Sequence, residues 1–411
     1  MRRQIEGSRA VAETVARCRP AVIPAYPISP QTHIVEALSE LVKSGALAPC
    51  EFINAESEFG AMSLAIGASA MGGRTYTATA SQGLLFMVEA VYNAAGLGLP
   101  VVMTVANRAI GAPINIWNDH SDAMSQRDSG WVQLYAESNQ AAVDLHVVAF
   151  RLAEELSVPV MVCIDGFVLT HAVEPVDLPE QSTVDAYLPP YEPRQVLDPA
   201  DPVSIGAMVG PEAFTEVRYL AHVRQLDVLR ALPRLAGEWA ALSGRHIAAV
   251  QPYHCAGADT VVVALGSVLG TVQDTVDTLR EDGVSIGVLG LTAFRPFPAA
   301  EVASALADAS RVVVQERAFA PGVGGIVSAD VRAAVPGVPL HTVVAGLGGR
   351  PVTSASLRET FLAAVNGRLT DLTFQDLDHD LVDRELGRAA KQRRSGPVAE
   401  NLLADLREAR R

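Results

Sequence analysis

Lysine is almost missing from this chain of 411 residues: only Lys43 and Lys391 occur. Arginine carries nearly all the positive charge, and that bias reads as genome composition, not function. Cysteine is sparse too. Cys18, Cys50, Cys163 and Cys255 lie far apart, with no C-x-x-C and no ferredoxin-like spacing. That argues against a tetrahedral zinc site or a self-contained iron–sulfur cluster and leaves scattered buried thiols. Charged residues make up 19%, below the roughly one quarter usual in globular proteins. A disordered or highly charged scaffold is thereby excluded. With 46 acidic against 32 basic residues and a net charge of −14, the chain has no global footprint for nucleic acid. No run of about 18 apolar residues occurs. The start, Met1-Arg2-Arg3-Gln4-Ile5-Glu6-Gly7, has no apolar signal core, so a soluble, cytoplasmic protein with no membrane partner is expected. Also missing are G-x-G-x-x-G after a first strand, G-x-x-x-x-G-K-[ST], H-E-x-x-H and a Ser/His/Asp order, so dinucleotide or P-loop binding is poorly supported. Gly322-Val323-Gly324-Gly325 and Gly346-Leu347-Gly348-Gly349 read as tight turns at helix starts.

What is present is apolar bulk, 49% of the residues with a mean hydropathy of +0.22. This is ample for the cores of two or three domains. Over the first 170 residues or so, amphipathic helical stretches alternate with short β-branched runs such as Pro100–Val105 and Pro159–Asp165. That alternation predicts a parallel sheet covered on both faces. The segment Gly60–Ala70, mostly Ala, Gly, Ser and Ile, is expected to be a helix packed closely on all sides. Seven prolines between Pro175 and Pro202 predict an extended connector, followed by helical residues 212–243 with a break at Pro233. A second α/β unit begins near Thr260. The division expected is 1–173, 174–258 (connector and helical segment), 259–370 and a charged helical tail, 371–411. The tail's basic cluster, Arg388, Lys391, Arg393 and Arg394, reads as a solvated or partner-facing helix.

Three segments fall where strands end, the place where open α/β sheets bind ligands. They are Ala25-Tyr26-Pro27-Ile28-Ser29-Pro30-Gln31-Thr32; Asn54-Ala55-Glu56-Ser57-Glu58-Phe59-Gly60-Ala61 with Thr79-Ala80-Ser81-Gln82-Gly83; and Asn107-Arg108-Ala109-Ile110 with Asn118-Asp119-His120-Ser121-Asp122. In order and spacing they resemble the alpha subunit of the pyruvate:ferredoxin oxidoreductases and their 2-oxoacid relatives. Leu291-Thr292-Ala293-Phe294-Arg295-Pro296-Phe297-Pro298, Val314-Gln315-Glu316-Arg317 and Gly346-Leu347-Gly348-Gly349-Arg350 agree, so the resemblance spans about residues 5–360. It implies a thiamine diphosphate-binding-type, doubly wound parallel sheet forming the pyrimidine-side domain, followed by a transketolase C-terminal-like α/β domain.

The resemblance also implies roles. Glu58 would be the glutamate that meets the aminopyrimidine ring of the cofactor, where sharing a proton with a ring nitrogen promotes the imino form that activates the thiazolium carbon. Taken alone, Glu56 or Glu58 is equally a helix cap; Glu56 keeps that reading. Pro27, Gln82 and Gly83 would line the cofactor. Arg108, with its planar fork, and Ser29, with its hydroxyl, would hold the substrate carboxylate beside Ile28. Outside the family, Arg108 is a structural salt bridge and Ser29 a turn residue. Ser29 stands where pyruvate-type members usually carry threonine. Asp119, His120 and Asp122 are expected to orient Arg108 or to contact another subunit; no metal is assigned to them.

The 411 residues contain no Gly-Asp-Gly, the motif that holds magnesium and diphosphate in such enzymes. The resemblance therefore implies a beta subunit carrying Mg2+, diphosphate and a [4Fe-4S] cluster, with gamma and ferredoxin-like delta components. Thiamine diphosphate is shared with that beta subunit, coenzyme A is the co-substrate, and ferredoxin or flavodoxin takes the electrons. The implied activity is oxidative decarboxylation of pyruvate to acetyl-CoA and CO2, or its reverse. A branched-chain 2-oxoacid, 2-oxoglutarate or oxalate as substrate stays open. So do an E1 beta-like subunit of a 2-oxoacid dehydrogenase and a non-catalytic regulatory subunit.

Overall fold

The computed structural model describes residues 2–202, 204–391 and 398–408. Arg393 and Arg394 of the basic tail cluster lie outside the described residues. Two large sheets organise the chain. The first has seven strands, in the order Ala293–Arg295, Val132–Tyr135, Val160–Asp165, Val101–Asn107, Thr75–Thr79, Val22–Ala25 and Glu51–Asn54. The last six run parallel. Its central strands are fully buried β-branched runs, as a sheet covered on both faces requires. The second sheet has six strands, from Leu372–Phe374 through Leu340–Val344, Arg311–Glu316, Thr260–Ala264 and Ile286–Leu291 to an antiparallel edge, Val250–Tyr253. Among the described residues, no helix is long and apolar enough to cross a membrane.

Several elements depart from the pattern-based expectation. Ala293–Arg295 leaves the second α/β unit and pairs antiparallel with Val132–Tyr135 of the first sheet, so the two units are interlocked. Arg2–Glu6 and Val173–Asp177 form a small antiparallel sheet. The helix Phe214–Ser243 continues through Pro233 without ending. The small-residue helix Glu58–Ala70 does not pack on all sides: Phe59 and Leu64 are each 39% exposed, with Ser63 and Gly67 open beside them. Met71, Phe86 and Tyr92 extend this apolar surface.

All four thiols are free; Cys18, Cys163 and Cys255 are buried and Cys50 half-buried. Burial pushes the Cys18 thiol up to about 12, and burial with Glu51 raises Cys50 to about 11. Such thiols are inert packing groups.

Candidate functional site

Five parallel strands of the first sheet end on one side and deliver Tyr26, Asn54, Thr79, Asn107 and Asp165 there. Beyond Asn54 the helix Glu58–Ala70 begins, capped by Ser57, whose Oγ accepts from Gly60 N at 3.0 Å. Neither glutamate is therefore the cap. Glu56 is exposed. Glu58 is only 8% exposed and its carboxyl makes no hydrogen bond to any described residue. A carboxyl that is nearly buried and unpaired is costly. It lies over Gly83 in the short helix Ser81–Phe86: a Cβ on Gly83 would stand 2.7 Å from both Glu58 Oε1 and Thr79 Oγ1. Thr79 Oγ1 is itself buried without a partner. Gly83 thus has no room for a side chain against Glu58, and a carboxyl and a hydroxyl without partners among the described residues suit a ligand that offers hydrogen-bonding atoms. Pro27 is exposed and Ile28 half-buried against the core. Gln82 is half-buried, its Nε2 beside Gly111.

Arg108 leaves the strand Val101–Asn107. Its Nε donates to Asn115 O at 3.0 Å and its Nη1 to Ser29 O at 2.9 Å. Among the described residues Nη2 has no hydrogen-bond partner and no carboxylate forms an ion pair with this guanidinium. A surface salt bridge is thus not its role. Burial pulls its pKa down and Asp122 opposes that, which leaves a guanidinium charged at any working pH. Ser29 contributes its carbonyl to Arg108 and keeps an exposed hydroxyl.

Asp122 joins the two groups. Oδ2 accepts from Ser81 N at 2.9 Å and Arg108 N at 3.0 Å. Oδ1 accepts from Asn107 Nδ2 and Ala123 N, both at 2.8 Å. Complete burial raises its pKa to about 6 against these bonds. Ser81 sits at φ 48°, and its Oγ donates to Ala109 O at 2.5 Å. One carboxylate thereby ties the turn bearing Gln82 and Gly83 to the strand end bearing Arg108.

Asp119 and His120 act differently: they clasp the second α/β unit. Asp119 Oδ2 accepts from Gly348 N at 3.1 Å, and Asn115 Nδ2 donates to Gly348 O at 3.1 Å. The Gly346–Gly349 run is thus a close-approach surface as well as a turn. A Cβ on Gly349 would meet Trp117 Cβ at 2.4 Å, and its φ is +80°. His120 Nε2 lies 2.6 Å from Asp165 Oδ1. Asp165 Oδ2 accepts from Arg317 Nη1 and Ser267 N, both at 3.0 Å, and from Ser267 Oγ. Burial alone would raise the Asp165 pKa, but His120, Arg317 and Ser267 outweigh it and hold the carboxyl well below its ordinary range. The sequence marked no role for Asp165 or Ser267, nor for Ser81, Asn107 and Thr79, although those three stand inside quoted segments. Arg317 stood inside a quoted motif, but nothing marked its partner 152 positions away. A cleft between Arg127, Trp131, Arg218 and Phe297 holds none of these residues.

A parallel sheet with a carboxyl and an arginine at its strand ends, clasped to a second α/β unit, has the architecture of a thiamine diphosphate-dependent enzyme subunit. Two solved structures share the fold. A 2-oxoglutarate:ferredoxin oxidoreductase from Magnetococcus marinus aligns with TM-score 0.67 and 18% identity, over 88% of this chain and 65% of that one. A split-gene transketolase aligns with TM-score 0.54 and 14% identity, over 89% and 99%. The family model "pyruvate flavodoxin/ferredoxin oxidoreductase, thiamine diphosphate-binding" matches residues 13–229, and that of pyruvate:ferredoxin oxidoreductase core domain II matches 258–357. The pyruvate synthase subunit PorA of Methanosarcina barkeri is 46% identical over 92% of this chain and 97% of its own. That of Thermotoga maritima is 41% identical over 89% and 95%. The ketoisovalerate oxidoreductase subunit VorA of Pyrococcus horikoshii is 35% identical over 86% and 91%. The chain belongs to the pyruvate:ferredoxin oxidoreductase family, as its alpha subunit. An E1 beta subunit is thereby set aside.

Proposed function

We propose that this subunit forms the pyrimidine-side half of a thiamine diphosphate site in a heteromeric, cytoplasmic pyruvate:ferredoxin oxidoreductase. The reaction is oxidative decarboxylation of pyruvate with coenzyme A, or its reverse, with electrons passing to ferredoxin or flavodoxin. The observation that carries this reading is Glu58: a nearly buried carboxyl with no hydrogen-bond partner among the described residues, packed against a glycine that admits no side chain. When bound, the cofactor supplies a nucleophilic carbon and an electron sink. Glu58 holds the proton shared with the pyrimidine nitrogen. Thr79 Oγ1, Gln82 and the Gly83 backbone line the same side, with Pro27 at the rim. Arg108, with Nε and Nη1 fixed by carbonyls, offers Nη2 to the substrate carboxylate, and the Ser29 hydroxyl adds a neutral donor beside Ile28. Asp122 positions both halves. The proposed division is 1–173, 174–258, 259–370 and 371–411, with the strands Val250–Tyr253 and Leu372–Phe374 completing the sheet of the third unit from just outside its limits.

Magnesium, diphosphate and the [4Fe-4S] clusters are assigned to beta, gamma and delta partners, because this sequence has neither Gly-Asp-Gly nor clustered cysteines. The exposed face of Phe59, Leu64, Met71, Phe86 and Tyr92 is the surface offered to a partner. Pyruvate is preferred as substrate because the PorA relatives are more similar than VorA and because a small residue at Ser29 suits a short 2-oxoacid. The test is the co-expressed complex assayed for coenzyme A-dependent viologen reduction on a panel of 2-oxoacids. Pyruvate should give the highest kcat/KM. Preference for 2-oxoisovalerate or 2-oxoglutarate would overturn the substrate, and no activity on any 2-oxoacid would overturn the reading itself.

A further inference from the structure

Next to Ser29, but separate from the groups above, three segments far apart in sequence bring together two imidazoles and a carboxylate. Glu6 ends the strand Arg2–Glu6, His33 lies in the helix Thr32–Lys43, and His171 follows the strand Val160–Asp165. One ligand atom from each lies within 4.8 Å of the others. We propose that Glu6, His33 and His171 bind a divalent transition-metal ion of the zinc class.

Two histidines and a carboxylate form a ligand set that zinc accepts, with the remaining position left to water. Ligand atoms on a tetrahedral zinc at about 2.0–2.1 Å are roughly 3.4 Å apart, so an ion asks the widest pair, within 4.8 Å, to close by up to about 1.4 Å and the Glu6–His33 pair to open by about 0.7 Å. His33 Nδ1 already lies 2.7 Å from Glu6 Oε1, and the two imidazoles are 4.6 Å apart between centroids. The second histidine is also held. His171 Nδ1 is 2.7 Å from Thr170 Oγ1, a fully buried residue whose carbonyl is fixed by Ser8 N at 2.9 Å and Ser8 Oγ at 2.8 Å. Thr170 Oγ1 also accepts from Phe167 N at 2.7 Å; in the tautomer whose Nδ1–H donates to that hydroxyl, Nε2 keeps its lone pair for a cation, the arrangement by which neighbouring groups orient ligating histidines. Glu36 and Ser29 share the small cavity beside both rings, so a further carboxylate is at hand. The site adjoins the Arg108 loop: Phe167 stacks on His171 at 4.7 Å and on Trp117 at 5.0 Å.

The inference does not rest on the proposed activity, and its test uses none. The full-length chain, stripped with EDTA, is titrated with Zn2+ against a chromophoric chelator. One ion per chain is expected, unaffected by excess Mg2+. His33→Gln and His171→Gln should each weaken binding by at least about tenfold, and Glu6→Gln should weaken it too. Circular dichroism and the metal-free melting temperature should be unchanged, and zinc should raise the melting temperature of the parent chain only. Cys50→Ser should have no effect. Absence of zinc binding, or binding insensitive to both histidine variants, would overturn the assignment.

Discussion

Asp122→Asn is a sharp perturbation because one atom changes while four hydrogen bonds depend on it. Each carboxylate oxygen accepts two N–H groups. An amide presents only one oxygen, so its NH2 end must face a pair of donors and lose both bonds. Hydrogen bonds to a charged group contribute about 1.5–3 kcal/mol each, giving a loss of about 3–6 kcal/mol. Against this, the buried carboxylate is itself unfavourable. Its pKa rises from 3.8 to about 6, equivalent to about 3 kcal/mol. A raised acid pKa means the folded state holds the proton more tightly. This stability cost is therefore absent below about pH 4, grows as pH rises through about 6, and is complete above it. Asparagine removes that dependence; because the value near 6 already includes the four bonds, the two figures are not subtracted from one another, and the change in stability near neutral pH should stay within about 3 kcal/mol. The larger effect should be positional. Ser81 and Arg108 lose their common anchor, so the KM for pyruvate should rise more than kcat falls. The acid limb of kcat/KM in the parent complex, near pH 6 where Asp122 takes up a proton, should disappear in the variant. Viologen reduction by the reconstituted complex across pH 5–8 reads both effects. An Asn variant with parental KM and an unchanged acid limb would refute the reasoning.

Glu58→Gln should leave assembly intact on size-exclusion chromatography and lower turnover by roughly 10²–10⁴-fold, because an amide cannot share the proton. Arg108→Ala should raise the pyruvate KM while cofactor affinity, read by calorimetry on the complex, stays close to parental. Gly83→Ala inserts a methyl 2.7 Å from Glu58 Oε1 and Thr79 Oγ1. It should cost about 1–3 kcal/mol in stability and most of the activity, with the melting temperature and turnover measured together.

How much of this was legible in the sequence follows from the range of the interactions. Val101–Asn107 and Val160–Asp165 were visible because a buried parallel strand writes itself as a β-branched run. The motifs at strand ends pointed to Glu58 and Arg108, and the fold does deliver both to one side of the sheet. The pattern failed where tertiary contacts decide. Val132–Tyr135 is short, carries Gln133, and takes its antiparallel partner from Ala293–Arg295, more than 150 residues on. Pro233 looked like a break, yet Val228, Leu232, Leu235, Ala236 and Trp239 are all buried around it, and that packing carries the helix through. Asp119 and His120 were read with Asp122 as one run, but only Asp122 faces Arg108. Their partners, Gly348 and Asp165, lie far along the chain. The open face of the helix Glu58–Ala70 was hidden by its small residues, which suit equally a buried helix and a docking surface.

The central claim is that this chain supplies only one half of the cofactor site. Isothermal calorimetry with thiamine diphosphate and Mg2+ tests it directly, first on the chain alone and then with the beta subunit added. One carboxyl and some apolar contact bind far more weakly than a charged diphosphate anchor. The lone chain should show no measurable binding, and one site per alpha–beta pair should appear once the partner is present. Micromolar binding, or 2-oxoacid decarboxylation, by the chain alone would contradict it.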